Sequence, residues 1–118
     1  MPRGYAPDRG DIVWLEFNPQ AGHEQAGRRP AIVISPGVYN RRVGLALFCP
    51  VTSQVKGYPF EVALPVGLPV GGVVLSDQVK SLDWRARKVK RIAKASPALI
   101  DEVLGKLAQV TKLEVVLV

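Results

Sequence analysis

The chain has 118 residues, 47% of them hydrophobic and 22% charged, as expected for one globular domain spanning residues 1–118. Its single cysteine, Cys49, excludes an internal disulfide and indicates a reducing compartment. The net charge of +6 favours an anionic partner, with nucleic acid ahead of a membrane. No apolar run approaches the roughly 18 residues that cross a bilayer, and residues 1–11 do not resemble a signal peptide. We therefore expect a cytoplasmic protein.

Short strands separated by turns are predicted for the first two thirds of the chain. They are rich in β-branched and aromatic residues and bounded by Gly, Pro or Asn, and they cover residues 12–17, 31–34, 43–51, 60–64 and 73–75. Residues 39–42 are predicted to form a turn or a short irregular crossing. Strands at such short spacing, without helices between them, favour a small closed or nearly closed barrel.

A helix is predicted after residue 96. Ser96 is a typical N-cap and Pro97 fits the first helical position. An apolar face at helical spacing follows, formed by Ile100, Val103, Leu104 and Leu107. Residues 113–118 fit either an extension of this helix or an edge strand.

Ionisable side chains concentrate in residues 22–30, between two predicted strands. This segment contains His23, Glu24, Arg28 and Arg29. RNA cleavage without a metal needs a base for the ribose 2′-hydroxyl, an acid for the departing 5′-oxygen and a cation for the phosphoryl oxygens. The segment holds candidates for all three. One histidine and one cysteine make a zinc site a poor alternative.

Within this segment Glu24 is the candidate base. Arg29, fixed by the proline that follows it, is the candidate phosphate clamp, and it could also donate a proton. Thr52, at the end of a predicted strand, offers a hydroxyl to the same phosphate. Each residue also has a simpler interpretation, because Glu24 and Arg29 could form a local ion pair and Thr52 could only cap its strand.

Residues 80–94, which we call the basic segment, carry seven of the sixteen basic residues against one acid, Asp83, with Trp84 among them. Such a run of charge is usually a solvated face. It could equally be a phosphate track in which Trp84 stacks on a base. The sequence leaves both interpretations open.

Five motifs in a fixed order carry a family resemblance. They are Gly10-Asp11-Ile12-Val13-Trp14, Gly22-x-Glu24-Gln25-x-Gly27-x-Arg29-Pro30, Pro50-Val51-Thr52-Ser53, Lys56-Gly57-Tyr58-Pro59-Phe60-Glu61-Val62 and Asp77-Gln78-Val79-Lys80-Ser81. Together they resemble the MazF/PemK toxins of bacterial toxin–antitoxin systems, and the chromosomal MazF branch in particular. The resemblance implies a mainly β fold, a small SH3-like β-barrel with a C-terminal α-helix and short additional helices.

The same resemblance implies a function. It is that of a homodimeric toxin of a type II toxin–antitoxin system, an endoribonuclease that needs no metal or other cofactor and cuts single-stranded RNA, mRNA included, at short sequences. Attack by the 2′-hydroxyl would leave 2′,3′-cyclic phosphate and 5′-hydroxyl ends, and cleavage would inhibit translation and growth. A cognate MazE-like antitoxin with an acidic tail would neutralise the enzyme. Two alternatives stay open: a toxin of related barrel fold that poisons DNA gyrase, and a non-catalytic RNA-binding barrel.

Residue by residue, the resemblance puts Glu24, Arg29 and Thr52 at the catalytic centre. The candidate RNA contacts are His23, Gln25, Arg28, Ser53, Lys56, Asp77, Gln78, Lys80 and Arg87. The PemK branch has an arginine two places before the aspartate of its Asp-Gln motif, where this chain has Leu75. Asp77 is therefore expected to be a support or an RNA contact.

Overall fold

A computed structural model describes residues 4–17 and 27–111, and its architecture is mainly β, as predicted. In chain order the elements are β1 (Asp11–Glu16), β2 (Arg28–Val33), α1 (Gly37–Val43), β3 (Leu45–Thr52), β4 (Glu61–Ala63), β5 (Val73–Leu75), β6 (Lys80–Asp83), β7 (Lys90–Lys94) and α2 (Pro97–Thr111). The predictions for His23, Glu24 and Gln25 and for residues 113–118 lie outside the described residues.

The seven strands form one antiparallel sheet in the order β4-β5-β3-β2-β1-β7, with β6 also paired to β3. Strand β3 is central to the sheet, because residues 45–48 pair with β6 and residues 51–52 pair with β5. Among the described residues β4 and β7 are not paired with each other. The sheet is therefore an open version of the predicted small barrel.

Apolar side chains alternate between the two faces of the sheet and form two clusters. On one face Ile12 and Ile32 pack with α2, through Leu99, Ile100 and Val103. On the other face lies a cluster built from Val13, Leu15, Ala31, Val33, Ala46, Phe48 and Trp84. Because neighbouring residues of a strand point to opposite faces, β1 and residues 31–33 of β2 are buried on both faces of the sheet.

Helix α1 corrects the prediction of a turn at residues 39–42. The buried side chain of Asn40 explains the helix, because its Nδ2 donates to the carbonyls of Pro7 (2.7 Å) and Ser35 (3.0 Å). Its Oδ1 accepts a hydrogen bond from the Ser35 hydroxyl at 2.6 Å. Gly44, in a left-handed conformation with φ of 81°, ends the helix. Seven residues are too few for a helical periodicity to be visible in the sequence.

Strands β6 and β7 lie within the basic segment, where the sequence predicts no strand, because closely spaced Lys and Arg residues obscure the apolar pattern. The prediction for α2 is confirmed. The Ser96 hydroxyl oxygen accepts a hydrogen bond from the Leu99 amide at 3.2 Å, as an N-cap does. In the part of the chain that the structure describes, no helix is long and apolar enough to span a membrane.

Candidate active site

The pairing of β2 with β3 brings Arg29 close to Thr52. The register of these strands runs from Val33 opposite Phe48 to Ala31 opposite Pro50, and Arg29 and Thr52 lie two residues beyond that last pair on their strands. Both residues line one cavity of about 650 Å³. Two side chains that are distant in sequence, and that we predicted to act together, therefore face the same space.

The walls of this cavity come from four parts of the chain. Trp14 of β1 and Pro30 of β2 line it together with Ser53, and residues 69–71 close it from the β4–β5 loop. Gly72 allows this loop to approach, because its φ is 111° and a Cβ there would lie 2.1 Å from the Thr52 carbonyl oxygen. The sequence shows a Pro- and Gly-rich stretch here but not the close packing against β3.

The Thr52 side chain both shapes the end of β3 and faces the cavity. Its Oγ1 accepts a hydrogen bond from the Gln54 amide at 3.1 Å. A hydroxyl that accepts this bond still has its own hydrogen to donate. Thr52 is therefore held by the turn that follows it and can donate to an anion in the cavity.

A second cavity, of about 460 Å³, adjoins the first and shares Thr52 and Gln54 with it. Its other lining residues are Lys56, Tyr58, Glu61, Leu75 and Gln78. We call the two cavities together the groove. Six of the predicted site residues line it: Arg28, Arg29, Thr52, Ser53, Lys56 and Gln78.

Asp77 does not line the groove, but it contacts Tyr58, which does. The Tyr58 hydroxyl donates to Asp77 Oδ2 at 2.5 Å, and this hydrogen bond is the main reason why the pKa of Tyr58 lies above its usual value. Asp77 Oδ1 is buried and has no hydrogen-bond partner among the described residues. Of the two roles expected for Asp77, its contacts favour support of a neighbouring side chain.

Lys80 and Arg87 are not among the residues that line the groove. Lys80 is exposed at the start of β6. The Arg87 guanidinium donates through Nη1 to the carbonyls of Glu16, at 3.1 Å, and of Phe17. Arg87 therefore holds the end of β1, and an RNA contact for either basic residue stays a prediction.

The basic segment does not offer Trp84 as a stacking surface, so the predicted stacking of Trp84 on a base is wrong, while the phosphate track stays a prediction. Trp84 is only 3% exposed, and its indole nitrogen donates to the Asn40 carbonyl at 3.1 Å. The Arg85 guanidinium covers the ring, 4.8 Å from its centroid. Trp84 is a core residue that anchors the turn between β6 and β7.

Cys49 is a small, fully buried side chain of β3. Burial raises the pKa of its thiol to about 12, and a thiol that stays protonated at neutral pH is a poor nucleophile. Within residues 4–17 and 27–111 no group of three His, Cys, Asp or Glu side chains could hold a metal ion.

Comparison with known proteins identifies close relatives of this chain. A family model described as PemK-like, MazF-like toxin of type II toxin–antitoxin system matches residues 8–111. The endoribonuclease toxin MazF of Escherichia coli K12 is 48% identical over 107 residues, covering 91% of this chain and 96% of that protein.

Comparison with solved structures identifies the same family. MazF from Deinococcus radiodurans superposes with a TM-score of 0.84 at 56% identity, covering 92% of this chain and 99% of that chain. A crystal structure of a MazE–MazF complex from the same organism gives a TM-score of 0.81 at 50% identity, covering 91% of this chain and 96% of that chain.

Proposed function

The chain belongs to the PemK-like, MazF-like toxins of type II toxin–antitoxin systems, and from this premise we propose that it is an endoribonuclease whose catalytic centre is the Arg29–Thr52 end of the groove. The observation that carries the proposal is the position of these two side chains, which lie on the paired strands β2 and β3 and line one cavity. Relatives that match nearly all of the chain bear the name endoribonuclease.

The chemistry follows from the groups available. Glu24 takes the proton from a ribose 2′-hydroxyl, whose oxygen then attacks the adjacent phosphorus. The bond from phosphorus to the 5′-oxygen breaks, and that oxygen takes a proton from Arg29 or from water. The products are a 2′,3′-cyclic phosphate and a 5′-hydroxyl. Arg29 and the Thr52 hydroxyl stabilise the negative charge that develops on the phosphoryl oxygens.

Outside the catalytic centre, the groove residues Arg28, Ser53, Lys56 and Gln78 contact single-stranded RNA. We propose the same for His23, Gln25, Lys80 and Arg87. Lys56 and Arg28 supply charge for phosphates, and the amide of Gln78 can hydrogen-bond to a base edge. Asp77 positions the Tyr58 side chain by accepting a hydrogen bond from its hydroxyl.

The partners follow from the same family. A MazE-like antitoxin with an acidic tail is the inhibitor, as the MazE–MazF complex of a relative suggests, and charge complementarity with a chain of net charge +6 supports it. The active form is a homodimer in the cytoplasm, where its mRNA substrate is found. It works without a metal or other cofactor.

The test is incubation of a long RNA with purified protein in EDTA, comparing wild type with Glu24→Ala. We expect wild type to cleave and the variant to be slower by on the order of 10² to 10⁴, as is typical for loss of an acid–base group. Glu102→Ala, which removes an exposed carboxylate from α2, is the matched control and should cleave at the wild-type rate.

Two outcomes would contradict the proposal. If Glu24→Ala slows cleavage less than a few-fold, Glu24 is not the base. If RNA survives wild-type protein while gyrase supercoiling fails, the chain is a toxin of the gyrase-poisoning kind. RNA binding that weakens steeply with salt and yields no cleavage would indicate a binding barrel.

A further inference from the structure

The loop between β3 and β4, residues 53–60, forms one wall of the groove. Its residues 53–59 are all exposed, and segments of this kind are usually mobile. Here the described contacts hold it at several points. These contacts explain how an exposed loop can keep one conformation.

Two contacts come from the carboxylate of Glu61, the first residue of β4. Its Oε2 accepts a hydrogen bond from the Lys56 amide at 3.0 Å, and its Oε1 accepts one from the Gly57 amide at 3.1 Å. The Glu61 amide in turn donates to the Tyr58 carbonyl at 3.0 Å. Glu61 thus closes the turn with both its side chain and its main chain, and hydrogen bonds to a charged acceptor are the strong kind.

Two further contacts support the same loop from outside. Lys106 of α2 donates to the Pro59 carbonyl at 2.9 Å. The Tyr58 hydroxyl donates to Asp77, two residues after the end of β5. The loop is therefore tied to the helix, to the sheet and to itself.

Electrostatics makes Glu61 unusual in this position. It is the one carboxylate among the described residues that line the groove, and a carboxylate there repels a phosphate backbone. Its two oxygens instead face backbone amides. The charge of Glu61 disfavours RNA, whereas its hydrogen bonds order the loop that forms the wall of the groove. These two facts together indicate that Glu61 orders the loop rather than binding RNA directly.

We propose that Glu61 is a positioning residue for RNA, which holds residues 53–60 as a preformed wall so that Lys56 and Tyr58 meet the substrate without an ordering cost. This inference rests on the proposed function. A preordered loop improves binding because less conformational freedom is lost when the ligand arrives. Glu61 itself need not touch RNA.

The two interpretations of Glu61 predict opposite signs for Glu61→Gln. If Glu61 is only an acid beside a polyanion, removing its charge lowers KM for RNA. If Glu61 positions the loop, the amide cannot accept from both backbone N–H groups, since its nitrogen is itself a donor. We expect KM to rise about tenfold with kcat changed less than about threefold. The rise should persist at high salt.

Asp83→Asn is the matched control. Asp83 Oδ1 also accepts hydrogen bonds from two backbone amides, those of Arg85 and Ala86, each at 3.0 Å. It is exposed, is the last residue of β6 and does not line the groove. The substitution makes the same change in charge, so we expect KM to stay within about twofold of wild type.

A second variant loosens the loop without changing its charge. Gly57 has a φ of 78°, and a Cβ there would meet no atom within 4 Å. Gly57→Ala therefore strains the turn without a clash. We expect KM to rise about threefold, and amide hydrogen exchange at residues 56 and 57 to become faster in both loop variants.

The inference is overturned if Glu61→Gln lowers KM or leaves it unchanged, or if Asp83→Asn raises it equally. It is also overturned if the amides exchange faster in Gly57→Ala while KM stays at the wild-type value. If Glu61→Gln does not fold, Gly57→Ala decides alone. Failure of wild type to cleave RNA would defeat the proposed function instead, so the two failures are distinguishable.

Discussion

Two regions of this molecule are rich in positive charge or polar groups, and they are built differently. The groove joins Arg29 and Thr52 on adjacent strands to a loop held by Glu61, and its side chains face open cavities. The basic segment places its charges around Trp84, which is buried, capped by Arg85 and bonded to α1. Under the proposed function, the position of oriented polar groups, rather than charge density alone, marks the site.

Removing one guanidinium from each region tests this comparison most severely. Arg29→Ala should lower kcat/KM for RNA by about 10²- to 10⁴-fold, because it removes charge stabilisation in the transition state. Arg85→Ala removes the same charge from above Trp84 and should change kcat/KM by less than about threefold. Steady-state cleavage of a fluorescent RNA measures both. Equal losses in the two variants would end the distinction between the regions.

Trp84→Phe tests whether the basic segment is structural. The substitution removes the indole hydrogen bond to Asn40 and part of a buried side chain. We expect a loss of about 1–2 kcal/mol in the free energy of unfolding, measured by urea denaturation. Well below the melting temperature kcat/KM should equal that of wild type. A large loss of activity in a folded variant would place Trp84 in the site.

A smaller effect should separate the lysines of the two regions. Lys56→Gln removes a charge from the groove and should reduce the slope of log KM against log salt by about 0.7, the value for one phosphate contact with a single strand. Lys88→Gln removes a charge from the turn between β6 and β7 and should leave the slope unchanged. The reverse result would make the basic segment the phosphate track.

Much of the fold is predictable because its signals are local. The runs of β-branched residues in β1 and β2 and the Ser96-Pro97 start of α2 depend only on neighbours in sequence. Helix α1 is not predictable in this way, since it is short and depends on a buried Asn40 that bonds to Pro7 and Ser35. In β6 and β7 the charged residues hide the strand pattern.

In the candidate site, too, some residues can be predicted from local motifs and others depend on contacts between distant parts of the chain. Arg29 and Thr52 are recognisable from motifs, and the register of β2 and β3 explains why they lie together. The motif from Lys56 to Val62 contains Glu61 but does not show its role, because the role depends on where the amides of Lys56 and Gly57 point. The approach of Gly72 to Thr52 is likewise a contact between parts of the chain that are distant in sequence, the β4–β5 loop and β3.

The central claim is that this chain cleaves RNA by attack of the 2′-hydroxyl at the Arg29–Thr52 end of the groove. End-group analysis of RNA treated with wild type in EDTA tests it most directly. We predict 2′,3′-cyclic phosphate and 5′-hydroxyl ends at a short recurring sequence, and their near absence with Arg29→Ala. Ends carrying a 5′-phosphate, or cyclic phosphate ends formed equally well by Arg29→Ala, would contradict the claim.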